Sequence, residues 1–353
     1  MKKLNYFAAL SFLSVFLFSA GAAITAELPK IHLKLAGAGD RLNMGKIEKK
    51  WWLEEIPKSS GGQISTSYVS IFELGLKGDE QLRLAKLGVL EFFDGNFNTL
   101  SKEDPIFRGI DMFGMAPTHA KAKIMADAYM PVLSKILEKK FGIKILMVWP
   151  NPAQTMYCKD KGTDLTNFLK DRKVRAGQGA VAAFVEKAGG TPVSIPWTDV
   201  IPSAQSGLIN CGITGTLSGN TAKWPEVFNY LFPMKLYWGF WFSGVSVAAW
   251  DKIDPKVQTF LLAEMAKHAE KRWKISGEET QDGINCNIGK GECKYGVKSN
   301  MTLVPVKDKD LALLNKWSKE IGPLWVKRVG VEAAKEWNAT AGKALGVSLP
   351  LGN

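Results

Sequence analysis

Arg175 carries the plainest chemistry in this sequence: it ends the run Lys173-Val174-Arg175, and Gly177-Gln178-Gly179 and a helical pattern over 180–188 follow it. A guanidinium stays charged in any protein environment, and its planar fork makes two parallel hydrogen bonds to a carboxylate. A strand end beside a turn and a helix N-terminus favours an anion. Arg175 is therefore a candidate carboxylate anchor, with Gln178 as a polar contact beside it. The same stretch, Gly177-Gln178-Gly179-Ala180-Val181-Ala182, fits the GxGxxA pattern of a dinucleotide site, and Asp199 lies downstream where a ribose contact would be needed. The strand before it is short and mid-chain, which weakens that reading.

Other chemistries find less support. GxSxG is absent, and His32, His119 and His268 have no recognisable nucleophile partner. Glu54 and Glu55 are adjacent in a helical pattern and face different directions. Neither CxxC spacing nor a His pair is present, so no metal or cofactor is expected. An exported enzyme acting on a small acid, either a hydrolase or a dinucleotide-dependent oxidoreductase, is kept as the alternative to a binding protein.

The elements that must position Arg175 begin after an export signal. Lys2 and Lys3 precede an apolar stretch and the small residues Ala20-Gly21-Ala22-Ala23, the layout of a cleaved signal peptide over 1–26. Cleavage between Ala22 and Ala26 predicts a periplasmic protein of about 327 residues, more than one core usually serves, so two domains are expected. The net charge of +12 falls to +10 without Lys2 and Lys3, and no Lys/Arg run reaches five, so nucleic acid is not an expected partner. In an exported chain, Cys286 and Cys293 flank a short polar loop and are expected to form a disulfide. Cys158 and Cys211 either pair across neighbouring strands or stay as buried thiols.

Residues 230–250 carry a single charge, Lys235, and are long enough to span a membrane. Pro233, Gly239 and Gly244 interrupt them, and the β-branched and aromatic content favours core strands. Elsewhere strands and helices alternate. Strands are expected at 31–36, 64–69, 91–93, 143–148, 155–158, 173–175, 192–195 and 208–214. Helices are expected at 41–56 ending at Pro57, and at 79–87, 121–140, 180–188, 199–206 and 254–280. The fold class is therefore α/β. Two lobes are made of discontinuous segments, 27–151 plus 236–277 and 152–235 plus 278–353, with a hinge and a long helix along both.

Lys173-Val174-Arg175, Gly190-Thr191-Pro192-Val193, Pro196-Trp197-Thr198-Asp199-Val200, Ala204-Gln205-Ser206-Gly207-Leu208-Ile209-Asn210 and Glu226-Val227-Phe228-Asn229-Tyr230-Leu231, in this order, resemble the substrate-binding proteins of TRAP (tripartite ATP-independent periplasmic) transporters. The likeness implies a two-lobed solute-binding fold, a small organic acid held in the cleft, and delivery to small and large integral membrane subunits by a monomer. Arg175 falls on the family's carboxylate-binding arginine, and Thr214 or Gly215 occupies the place of a ligand-binding Asn. Sialic-acid binders carry a further upstream Arg where this chain has Gln154 or Thr155, so one carboxylate is expected to be easier to hold than two. Trp149, Trp197, Trp238 and Trp241 are expected to line the cleft, where aromatic rings cover a solute. Asp199, Ser218 and Asn220 are further polar candidates.

Overall fold

Runs of β-branched and aromatic residues fall into two separate sheets. The computed structural model describes residues 28–351 apart from 77 and 178, so the expected signal segment 1–26 and the side chain of Gln178 lie outside the described residues. The strands are β1 (Ile31–Gly37), β2 (Ile64–Ser70), β3 (Phe92–Asn96), β4 (Ile143–Pro150), β5 (Gln154–Cys158), β6 (Lys173–Arg175), β7 (Thr191–Val193), β8 (Cys211–Gly215), β9 (Tyr230–Tyr237), β10 (Phe240–Ser246) and β11 (Thr302–Leu303). The first sheet has the order β2-β1-β3-β10-β4 and the second β11-β9-β5-β8-β6-β7. Strand β1 runs parallel to β2 and β3, whereas β10 is antiparallel to both of its neighbours.

The chain passes from the first sheet to the second between β4 and β5 and returns between β9 and β10. The two passages are fastened together. Asn151 donates its backbone N–H to Gly239 O at 3.1 Å, and the Gln154 side-chain amide donates to Pro152 O at 3.0 Å and Trp238 O at 3.3 Å. Gly239 turns with φ +73°, a left-handed conformation that favours glycine. Residues 230–250, long enough for a membrane span, are thus β9, a turn, β10 and the short helix Val247–Trp250, and among the described residues no helix is long and apolar enough to cross a membrane.

The long helix spans Pro255–Ile288, beyond its expected end at 280, with Asp254 capping its start and Gly289 in the left-handed region closing it. Val257, Leu261 and Met265 pack on the first sheet. Further along, Gly283 lies so close to Thr216 and Leu217 that a Cβ there would collide with their backbone, which brings the helix onto the second lobe. Between these points Arg272 is fully buried, 3.3 Å from Glu48 and 3.7 Å from the ring centre of Trp149.

Several expectations need correcting. The helix expected to stop at Pro57 continues to Ser59 through a π-helical turn at Trp51–Glu55, with Pro57 in the first turn of Ile56–Ser59. Asp94-Gly95-Asn96, beyond the expected strand end at 93, lie in β3. Asp94 is buried there because its carboxylate accepts from the Ala38 N–H at 2.7 Å and from Ser243 Oγ at 2.5 Å. Residues from Trp325 to Leu349, expected with the second lobe, pack into the first core. Indole hydrogen bonds from Trp325 to Pro105 O and from Trp337 to Gly109 O, 2.8 and 2.7 Å long, hold them there.

Both cysteine pairs are disulfides. Cys158 and Cys211 sit opposite each other on β5 and β8, which decides the alternative left open by the sequence, and Cys286–Cys293 ties the end of the long helix to the following loop.

Candidate functional site

Short β6 places Arg175 at the edge of a cavity of about 680 Å³ lined from both lobes, well within the usual range for small-molecule sites. Val174 is buried under the sheet and fixes the strand, so the next side chain emerges at its end. Because β6 lies between β8 and β7, carbonyls from both sides reach the guanidinium. Arg175 Nε donates to Ile195 O at 3.2 Å and Nη1 to Ile213 O at 2.9 Å. These bonds lock the side chain through Nε and Nη1 and leave Nη2 for an outside partner. Burial lowers its pKa, offset in part by Tyr237, yet a guanidinium remains charged at any relevant pH. Among the described residues no carboxylate lies within ion-pair distance of it.

Trp197 and Thr214 join Arg175 on the second-lobe wall, with the Trp197 indole N–H donating to Thr214 Oγ1 at 3.2 Å. Trp241 faces them from β10 in the first lobe. Asp199 and Ser218 also border the cavity. Four candidates do not. Trp149 is buried under the long helix against Arg272, and Trp238 is buried at the passage between sheets, where its indole N–H donates to Ala116 O at 2.8 Å. Gly215 is set back at the start of the Thr216–Thr221 helix, where a Cβ would crowd Pro152 O and the Gln154 amide. Asn220 instead serves the loop after the long helix, exchanging hydrogen bonds with the Val297 backbone.

The histidines stay structural. His32 meets Ser65 and Ser67 on the neighbouring strand, His119 meets Ser276, and His268 is stacked on Trp51 with its pKa driven down to about 2 by burial.

Sequence reasoning missed the first-lobe polar wall. Arg108, in the middle of the Pro105–Asp111 3₁₀ helix, donates to the side-chain oxygen of Asn98 and lies 5.4 Å over the ring of Tyr237. Asp111 accepts the N–H groups of Trp238 and Gly239 at 2.9 and 2.7 Å, and burial pushes its carboxyl up against the pull of Arg108. Burial likewise pushes the Tyr237 hydroxyl up, against Arg108 and Arg175. One signal was available: Arg108 is a lone cation in the apolar run Ile106-Phe107-Arg108-Gly109-Ile110.

The profile of the family described as bacterial extracellular solute-binding protein, family 7, matches residues 40–316, which is 277 of the 353 residues. The chain belongs to this family. Family 7 proteins are solute-binding receptors, so the hydrolase and dinucleotide oxidoreductase alternatives are not supported. Solved structures agree on the two-lobed fold. An extracytoplasmic solute receptor of Bordetella pertussis, DctP7, binding pyroglutamic acid, has 18% identity and a TM-score of 0.74, covering 89% of this chain and 98% of its own. A TRAP periplasmic solute-binding protein of Desulfovibrio salexigens with bound orotic acid has 13% identity and a TM-score of 0.77, covering 90% and 99%. A third, from a Sulfitobacter species with bound β-D-galacturonate, has 15% identity and a TM-score of 0.75, covering 88% and 100%.

Proposed function

We propose that this family 7 protein captures a small organic acid in the cavity between its lobes and presents it to the membrane subunits of a TRAP transporter. The observation that carries the reading is Arg175, held at the cavity by two backbone carbonyls through Nε and Nη1, with no carboxylate among the described residues within ion-pair distance. A cation without a protein counter-charge needs an anion from outside. Trp197, Thr214 and Trp241 supply the ring surface and hydrogen-bonding groups that orient a solute beside it, and Gln178 is placed by sequence next to the anchor. The acids named with similar folds, pyroglutamic, orotic and galacturonic, each carry a carboxyl group.

In this reading the chain loses residues 1–26 on export and works in the periplasm as a monomer. The first lobe comprises 27–151 and 236–277 with the C-terminal packing described above, the second comprises 152–235 and the remainder, and they rotate about the fastened passages at Asn151 and Gly239. A thermal-shift screen of organic acids tests it, since a ligand at 100 times its dissociation constant adds about 2.7 kcal/mol. Acids that raise Tm without being consumed support the reading. A panel of carboxylates that leaves Tm unchanged overturns it.

A further inference from the structure

We propose that Arg108 Nη2 and Trp241 Nε1 form a second acceptor-binding subsite on the first-lobe wall, and that the ligand is a dianionic acid whose far anionic group docks there while Arg175 holds the near carboxylate. This rests on the reading of the cavity as an acid site. Among the described residues lining the cavity, these two nitrogens are the buried side-chain polar atoms that no protein group satisfies. Both are donors, so the missing partner is an acceptor. They belong to one structural unit: Trp241 on β10 is paired with Asn96 on β3, and Asn98, just after β3, accepts from the Arg108 guanidinium. Asn96 cannot supply the acceptor, because its side-chain oxygen caps the following turn through the N–H groups of Asn98 and Thr99. Asp111 has both oxygens engaged by Trp238 and Gly239.

Charge points the same way. Lys102, Arg108, Arg175 and Arg328 border the cavity against Asp111 and Asp199, four cations to two carboxylates, a surplus of two positive charges that a dianion neutralises. The expectation that a single carboxylate is easier to hold considered only the second lobe, where Gln154 or Thr155 stands in place of a further Arg. Here the second guanidinium comes from the opposite wall, so its two anchors grip a ligand from both lobes.

The test is calorimetry of the mature chain with succinate, glutarate and adipate, each beside its monoamide, which keeps the length and removes one charge. Wild type is expected to prefer the diacid by about tenfold or more for at least one length. Arg108→Gln is expected to bring that preference to within about threefold, Arg108→Lys to keep part of it, and Trp241→Phe, which keeps the ring and removes the donor, to reduce it less than Arg108→Gln. Equal binding of diacid and monoamide by wild type overturns the subsite, as does an equal loss for both in Arg108→Gln, which would mark Arg108 as merely shaping the wall. If monocarboxylates bind and Arg175→Ala abolishes that binding while no diacid is preferred, the subsite fails and the acid site stands. If no acid binds at all, both fall.

Discussion

Phe72 and Trp197 stack across the cleft, their ring centroids 6.3 Å apart and their planes 28° from parallel. Phe72 follows β2 in the first lobe and Trp197 follows β7 in the second, where Thr214 orients its indole. Such a pair contributes about 0.5–1.5 kcal/mol beyond area burial, all of it available only when the lobes are together. Trp197→Ala is therefore expected to weaken ligand binding by about 2- to 12-fold or more. Calorimetry of this variant beside Phe72→Ala checks it. Wild-type affinity in both would mean that the stack does not hold the cleft shut.

Arg175→Ala should cost far more. Truncating one partner of a buried charge pair costs about 2–5 kcal/mol, a loss of roughly 30-fold to several thousandfold in affinity. Arg175→Lys should recover only part, since an ammonium keeps the charge without the fork. The guanidinium also holds the Ile195 and Ile213 carbonyls, so the ligand-free melting temperature should fall by a few degrees and no further. A variant that fails to fold would make Arg175 a structural clamp.

Glu279 sets a pH dependence. Burial pushes its carboxyl up to about 7 despite the hydrogen bond from Asn43 and the pull of Arg272. In the unfolded chain it titrates near 4.3, so between about pH 4.3 and 7 the native state holds a proton that the unfolded state has released. Stability from this group is therefore fully present below pH 4.3 and declines as pH rises to 7, by on the order of 3 kcal/mol at most. His268 acts in the opposite sense, since its lowered pKa makes the native state bind fewer protons below about pH 6.5. Wild type minus Glu279→Gln isolates the first effect: urea melts at pH 4.5 and 8 should show the variant gaining stability relative to wild type at the higher pH. A difference that does not change with pH would show that Glu279 is ionised in the native protein.

The two disulfides should contribute unequally. Cys158–Cys211 closes a separation of 53 residues and Cys286–Cys293 one of 7. On the chain-entropy account the first contributes about 4 kcal/mol and the second about 2–3 kcal/mol. Paired Cys→Ala variants followed by urea denaturation should rank in that order. The reverse ranking would show that local strain or residual unfolded-state structure outweighs loop length.

Most elements were legible because their signals are local: Gly142 ends its helix in a left-handed conformation, and strands such as β4 are rich in β-branched and apolar residues. Arg175 was legible for the same reason, as a cation between a strand and a glycine turn. Arg108 was not, because its setting is built from Asn98, Asp111 and Tyr237, residues joined only when the two passages between the sheets are fastened. Trp149 and Trp238 were expected in the cleft with Trp197 and Trp241 because aromatic rings cover a solute. Which face each indole takes is decided by the long helix and by the turn at Gly239, and neither leaves a mark in the local pattern. Asp94 hides in the same way: the expected strand stopped at 93, while its partners Ala38 and Ser243 come from the end of β1 and from β10.

Strand β10 lies between β3 and β4, yet it leaves the ribosome after every residue of β5 to β9. The first sheet cannot close in the order of synthesis: until residue 246 arrives, β3 and β4 have bare facing edges with no partner between them. The later lobe has five of its six strands available by residue 237 and lacks only the two-residue edge strand β11. The first sheet therefore waits for a distant strand to fill its centre, and the second lobe likewise waits for Met301, Val304, Leu314 and Ile321 to complete its cores. Such non-local closure is slow, so the first sheet is expected to complete later than the length of its N-terminal strands would suggest.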